Sequence, residues 1–166
     1  MKPDNPLPGG IRFAPRHSIE QVEESTELAP RFDDNGLIAC ITTDAVSGDV
    51  LMLGYMNADA LQRTIASGEA HYWSRSRQQL WHKGASSGLV QKVTEMRIDD
   101  DQDAVWIRVQ VAGNGASCHV GYRSCFYRNV ALAEACQPDQ ALVFNEDRKV
   151  FDPELMYPGA ANPTRL

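Results

Sequence analysis

A run of acidic residues between two β-rich segments constrains the fold of this chain more than any other sequence feature. Residues 99–103 read DDDQD, so four carboxylates that repel one another stand within five positions. Residues 90–98 and 104–111 alternate apolar and polar side chains, the period-2 pattern of a strand with one buried face. The sequence therefore predicts a hairpin whose turn holds these carboxylates close together.

Two interpretations of this acidic run are open. A charged turn between strands is usually a solvated surface feature. Clustered carboxylate oxygens are also the ligands that hard divalent cations prefer. Because the flanking strands force these acids together, we favour a metal site over a solvated turn.

The remaining patterns predict a domain of the α+β class that is mostly β, with one clear helix. Alternation and turn residues predict further strands over residues 37–42, 50–56, 71–74 and 124–130. Asn57 is a favourable N-cap for a helix from Ala58 to about Ala66, with Leu61 and Ile65 on its apolar face and Gly68 at its end.

Residues outside the strand-rich region are harder to interpret. Short helical stretches are predicted over residues 18–28 and 131–136. We interpret residues 1–30 as an N-terminal extension, residues 31–130 as the compact domain and residues 131–166 as a C-terminal extension.

Composition excludes several classes of protein. A net charge of −6 argues against a general nucleic-acid binder, which needs a basic face for phosphates. No apolar run approaches the ~20 residues that span a bilayer, and the N-terminal MKPDNP lacks the apolar stretch of a signal peptide. We expect a cytoplasmic protein that binds neither nucleic acid nor membrane.

Cysteines supply a second candidate site. Cys118, followed by His119, lies seven positions before Cys125. These are either small buried residues beside an incidental histidine or part of a zinc site, although the chain offers no CxxC pair. Two thiolates and one ligand from the acidic turn would leave a zinc position open for water, whose pKa zinc lowers to about 7. Cys40 and Cys136 lie outside the motifs and are interpreted as structural.

A polar, basic segment over residues 71–88 supplies the third candidate site. It reads HYWSRSR and then LWHKGASSG. Guanidinium and hydroxyl groups suit phosphate oxygens, and the two tryptophans could stack on a base. The alternative is a basic loop with two core tryptophans.

Taken together, these motifs resemble the phosphoribosyl-AMP cyclohydrolase family of histidine biosynthesis. The segments GLIACITTDAVSGDVLMLGYMNADAL, HYWSRSR, LWHKGASSG, DDDQD and SCHVGYRSCFY resemble it in one colinear order over roughly residues 31–128. The resemblance implies hydrolytic opening of the adenine ring of N1-(5-phosphoribosyl)-AMP between N1 and C6, the third step of that pathway. It also implies a folded, barrel-like mixed sheet in an intertwined homodimer.

The resemblance implies two metal ions. Asp99, Asp101 and Asp103 match its magnesium-binding aspartates, and Cys118 and Cys125 match two of three zinc cysteines, in a site completed across the dimer interface. The third cysteine of the family pattern is replaced by Asp100. This replacement has three interpretations. Asp100 ligates zinc through a carboxylate oxygen, or His119 takes the place of the missing cysteine as a ligand, or the zinc site is weakened. We favour Asp100, which keeps the ligand charge but shifts the preference toward harder metals.

The resemblance and the chemistry of the side chains together suggest roles for other residues. His119 is the expected general base, with a role in orienting the site as the alternative. The residues expected to bind the nucleotide are Arg75, Ser76, Arg77, Trp81, Lys83, Ser87 and Arg123.

Two rival functions and one further expectation remain. A non-catalytic metal-binding or regulatory homologue would explain Asp100, and a hydrolase of another purine nucleotide would share the motifs. Only 36 residues follow Val130, too few for the helical pyrophosphatase domain fused to some relatives, so we expect a monofunctional enzyme.

Overall fold

The computed structural model describes residues 10–166. The first nine positions of the predicted N-terminal extension lie outside the described residues. The strands are β1 (Ile38–Asp44), β2 (Val50–Met56), β3 (His71–Ser74), β4 (Gln79–His82), β5 (Gln91–Ile98), β6 (Ala104–Val111), β7 (Arg128–Val130) and β8 (Leu142–Phe144). The helices are α1 (Ile19–Glu24), α2 (Ala58–Ser67) and α3 (Pro153–Met156), with a 3₁₀ turn at Ala133–Ala135.

Four strands form a mixed sheet in the order β2-β1-β6-β5. β1 runs parallel to β6, with Cys40 opposite Val105, and the other two pairings are antiparallel. The predicted hairpins β1–β2 and β5–β6 are therefore both present and lie side by side.

The sheet is open, which corrects the expected barrel-like closure. β2 and β5 are its two edges, and no strand in residues 10–166 joins them. The ribbon of β3 and β4 pairs only with itself and packs beside β2 instead of extending the sheet. The α+β class and the mixed sheet are confirmed, whereas the intertwined homodimer stays a prediction.

α2 covers the core side of the sheet. Asn57 caps it by accepting a hydrogen bond from the Ala60 amide at 2.8 Å, and Gly68 ends it in the left-handed conformation. Leu61 is buried against Ile38 and Ile107, as its helical position predicts. Ile65, expected on the same face, is 36% exposed, and the buried residue at that turn of the helix is its neighbour Thr64.

The N-terminal segment packs onto the acidic turn. Ser18 caps α1, and the buried side chain of Gln102 accepts a hydrogen bond from the Ala29 amide at 2.8 Å and donates one to the Val22 carbonyl at 2.9 Å. Arg16 donates to the Asp101 carbonyl at 2.9 Å. The one uncharged residue of the acidic run thus anchors the segment before the sheet.

Several elements differ from the sequence prediction. The strand expected over residues 124–130 is limited to β7, because Cys125 first donates its amide to the Leu51 carbonyl at 2.7 Å and thereby crosses the end of β2. β4, β8 and α3 were not predicted, since each is only three or four residues long. Of the short helices predicted over residues 18–28 and 131–136, the first is present as α1, whereas the second is only the 3₁₀ turn at Ala133–Ala135. Within residues 10–166, no helix has both the length and the apolar character needed to cross a membrane.

A substitution at Gly84 tests how closely the loop after β4 approaches its own backbone. Its φ is +87°, and a Cβ there would overlap the backbone of Leu89 and Val90. We expect Gly84→Ala to lower the free energy of unfolding by about 2–4 kcal/mol. Gly88→Ala is the matched control, because its φ is +77° but its surroundings are open. It should cost only about 1 kcal/mol in the same denaturant titration, and equal losses would contradict the close approach.

Candidate active-site cleft

A large cleft opens beside the β3–β4 ribbon. Its volume is about 1230 Å³, and its walls come from the ribbon, the loop after β4, the Ser117–Cys125 segment and the C-terminal residues 153–165. The predicted site residues that line it are Arg75, Ser76, Arg77, Trp81, Lys83, Ser87, His119 and Cys125. The fold thus gathers motifs that lie up to fifty residues apart in sequence.

The ribbon carries two arginines on its turn. Tyr72 pairs with Trp81 and Trp73 with Leu80, which places Arg75 and Arg77 at the exposed tip. The Arg75 guanidinium lies 4.0 Å from the centre of the Tyr55 ring. Neither arginine forms an ion pair with a described residue, so both guanidinium groups are available to an anion.

Lys83 is buried at the base of the cleft, so its ammonium is not a solvent-exposed group like those of the lysines that usually bind phosphate. Its side chain is 4% exposed, and its ammonium donates to the Ser117 carbonyl at 2.9 Å. Burial lowers the pKa of Lys83, while the nearby thiols of Cys125 and Cys118 oppose that effect. A cation in this place favours a negative charge on the thiols.

The two thiols of the site lie next to each other. Cys118 is buried and Cys125 is exposed toward the cleft. A hydrogen bond from Cys125 lowers the pKa of the Cys118 thiol to about 7, with a smaller contribution from Lys83. The same bond raises the pKa of Cys125, which keeps the shared proton. One thiolate is therefore available near neutral pH, as a soft metal ion requires.

The acidic turn is a second group of potential ligands. Carboxylate oxygens of Asp99, Asp101 and Asp103 all lie within 4.8 Å of one another. Asp99 also accepts hydrogen bonds from the amides of Asp103 at 2.9 Å and Ala104 at 3.0 Å, which shape the turn. Partial desolvation and the two neighbouring carboxylates raise the pKa of Asp103. This mutual repulsion is what a divalent cation would relieve.

The acidic turn and the thiol pair lie at opposite ends of the sheet. The acidic turn lies at the level where Ala104 of β6 pairs with Ala39 of β1. Cys125 is hydrogen-bonded to Leu51 of β2, which lies at the level where Thr43 of β1 pairs with Arg108 of β6. Four residues of strand separate the two levels, or about 13 Å. Within one chain, the structure does not bring Asp100 to Cys118 and Cys125.

His119 and Arg123 have different surroundings. His119 lines the cleft, and burial, with Lys83 and Arg77, lowers its pKa against an opposing hydrogen bond with Asn162. A neutral imidazole can accept a proton. Arg123 lies outside the cleft lining, with its guanidinium 3.0 Å from Asp49.

Sequence patterns missed the C-terminal wall of the cleft. The Glu146 carboxylate accepts hydrogen bonds from the amides of Arg123 at 2.8 Å and Ser124 at 2.9 Å. The Val150 amide donates to the Gly121 carbonyl at 2.8 Å. These bonds carry residues 153–165 across the opening. No periodicity signals this path, because single polar contacts hold it.

Replacing Lys83 tests the electrostatic link to the thiols. In metal-free protein, the thiolate should form as the pH rises through about 7. Lys83→Met removes the neighbouring cation, a smaller contributor than the Cys125 hydrogen bond, so we expect the midpoint to rise. Thiolate absorbance in the ultraviolet measures it. The exposed Lys92→Met is the control, and an unchanged midpoint in Lys83→Met would contradict the link.

Comparison with known proteins gives a consistent result. A family model described as phosphoribosyl-AMP cyclohydrolase matches residues 52–127. A phosphoribosyl-AMP cyclohydrolase of Rhodopseudomonas palustris (strain BisA53) is 58% identical over 138 residues, covering 83% of this chain and 92% of the relative. One of Bradyrhizobium diazoefficiens is 54% identical over 141 residues, covering 85% and 96%. One of Rhizobium leguminosarum bv. trifolii is 49% identical over 143 residues, covering 86% and 93%.

Proposed function

The chain belongs to the phosphoribosyl-AMP cyclohydrolase family, and from this premise we propose how its cleft performs the reaction. The enzyme hydrolyses the adenine ring of N1-(5-phosphoribosyl)-AMP in histidine biosynthesis. The observation that carries the assignment to this cleft is the meeting of cationic, thiol and imidazole groups around one opening.

The cationic groups suit the charge of the substrate. Phosphoribosyl-AMP carries a phosphate at each end, and an enzyme holds such groups with arginine forks and hydroxyls. Arg75, Arg77 and Ser76 at the tip of the ribbon are exposed and free of ion pairs among the described residues. We assign one phosphate to this tip, which leaves the purine to extend toward Lys83 and the thiols.

The thiol pair fits a zinc site that one chain does not complete. Cys118 and Cys125 supply two sulfur ligands, and Asp100 from a second copy is the proposed third. Zinc, when bound, supplies Lewis acidity and a water of lowered pKa. The clustered oxygens of the acidic turn fit magnesium. The buried ammonium of Lys83 offsets part of the negative charge of the thiolate ligands.

His119 is the proposed general base. It follows Cys118 in the sequence and lines the cleft, and burial lowers the pKa of its imidazole, which favours the neutral form that can accept a proton. The oxygen of water bonds to C6, the C6–N1 bond breaks, and C6 becomes the carbonyl carbon of the product carboxamide. His119 accepts one proton from the water and returns it to the departing N1, and the second proton passes to the exocyclic nitrogen on C6, so one water is added in total.

Metal removal tests the proposed zinc dependence. Stripping the protein with a chelator should abolish ring opening, followed by ultraviolet absorbance, and zinc should restore it. Zinc bound per chain is measured in parallel and should be lost in Cys118→Ser. The Cys136→Ser variant is the matched control, because Cys136 is exposed and outside the cleft. Full activity in the stripped, metal-free protein would contradict the proposal.

Mixing two inactive variants tests whether the site is shared between chains. Asp100→Ala and Cys118→Ser each remove a ligand from opposite ends of the sheet, so each alone should be inactive. Random re-assortment makes half of the dimers mixed, with one intact site each, which restores about a quarter of wild-type activity. No recovery in mixtures whose subunits demonstrably exchange would contradict a shared site.

His119→Asn tests the base. The amide keeps a polar group of similar reach but does not accept the proton, so we expect kcat to fall by about 10²-fold or more. Bound zinc should be unchanged. Near-normal turnover would remove His119 from the mechanism, and lost zinc would assign it to metal binding instead.

A further inference from the structure

A buried chain of polar side chains leads from the sheet to the cleft. Gln91 is fully buried, and its side chain bridges the Tyr72 hydroxyl at 2.7 Å and the Ser117 hydroxyl at 3.1 Å. Tyr72 is also buried and meets the Thr42 hydroxyl at 2.7 Å. Polar groups in such a place are costly unless every one of them is paired, so the chain has one preferred arrangement.

The direction of each hydrogen bond follows from the partners of Gln91. Its Nε2 lies 3.5 Å from the Met52 sulfur, which can only accept, so that atom is the amide nitrogen. Nε2 therefore donates to Ser117, and Oε1 accepts the proton of Tyr72. Since the Tyr72 proton is used, the Thr42 hydroxyl donates to Tyr72.

Ser117 ends this chain at the wall of the cleft. Its side chain is 3% exposed, lines the cleft and precedes the Cys118 thiol. Its oxygen accepts from Gln91, and its backbone carbonyl accepts from Lys83 at 2.9 Å. No acceptor for its hydroxyl hydrogen is present within residues 10–166. The donor capacity of this hydroxyl is therefore unused on the protein side.

We propose that the Ser117 hydroxyl donates a hydrogen bond to an acceptor atom of the substrate purine, and that Gln91 is the positioning residue that aims it. The assignment of the purine rests on the proposed function, which requires the reacting ring to lie beside the thiol pair. Because Gln91 donates to the Ser117 oxygen, the hydroxyl proton points away from Gln91, and the cleft that Ser117 lines is where a substrate acceptor can meet it. A donor held in this way needs no reorientation when the substrate arrives.

Kinetics of four variants test this assignment. Ser117→Ala removes the donor, and Gln91→Met removes the group that aims it while keeping an unbranched side chain. We expect each to lower kcat/KM about tenfold, the ratio that one hydrogen bond typically supplies. The double variant should lose no more than Ser117→Ala, because Gln91 acts only through Ser117. Ser117→Thr, which keeps the hydroxyl, should recover most of the activity.

A matched control separates positioning from stability. Thr64 is also buried, and its hydroxyl donates to the Ala60 carbonyl at 2.8 Å, but it lies outside the cleft lining. Thr64→Val should lower the unfolding temperature as Gln91→Met does, yet leave kcat/KM unchanged. If Gln91→Met does not fold, Gln91→Glu replaces it. Its carboxylate has the same shape but accepts the Ser117 proton, so kcat/KM should fall as in Ser117→Ala.

Two results would overturn the inference. One is a double variant whose loss is the product of the single losses, about a hundredfold. The other is a loss in Thr64→Val equal to that in Gln91→Met, which would make both effects structural. An inactive wild-type enzyme would contradict the proposed function instead, so the two failures are distinguishable.

Discussion

The parallel pairing of β1 with β6 is the constraint on which the arrangement of the site depends. It joins two hairpins into one sheet and sets their ends in opposite positions. The turn of the β5–β6 hairpin, with its carboxylates, lies at one end, and the chain after β6 delivers the thiols at the other. Each chain therefore presents two separate groups of potential ligands. This separation supports the proposal that the site is built from two copies.

Electrostatics at the base of the cleft depend on one buried cation. Lys83 is held by the Ser117 carbonyl, and it faces a thiol pair that shares one proton. Burial makes the ammonium costly on its own, and the negative charge of a thiolate offsets that cost. The loop after β4, closed tightly at Gly84, is what brings this lysine inside. Local backbone geometry and the chemistry of the thiols are thus coupled.

Both terminal regions contribute to the domain. The buried side chain of Gln102 ties residues before the sheet to the acidic turn. Glu146 and Val150 tie the C-terminal residues to the segment that carries the thiols. Each of the two groups of potential ligands is therefore held by hydrogen bonds to one of the terminal regions. The C-terminal residues also form one wall of the cleft through which a substrate reaches Ser117 and His119.

Local patterns alone determined the strands β2, β3 and β6 to the residue and the caps of α2, whereas the candidate metal ligands came from the family resemblance and stay a prediction. This is possible because hydrophobic alternation, Asn57 as a cap and Gly68 as a helix end act within a few neighbouring residues. The family resemblance likewise rested on short motifs in order.

Only the tertiary structure decided what these residues meet. It left the sheet open, buried Lys83 beside the thiols and turned Arg123 toward Asp49. It also linked Gln91 to Ser117, 26 positions away, through a contact that has no sequence signature. Side-chain hydrogen bonds between distant segments depend on how strands and loops pack. Short-range patterns carry no information about that packing, which is why sequence named the groups of the site and the fold assigned their partners.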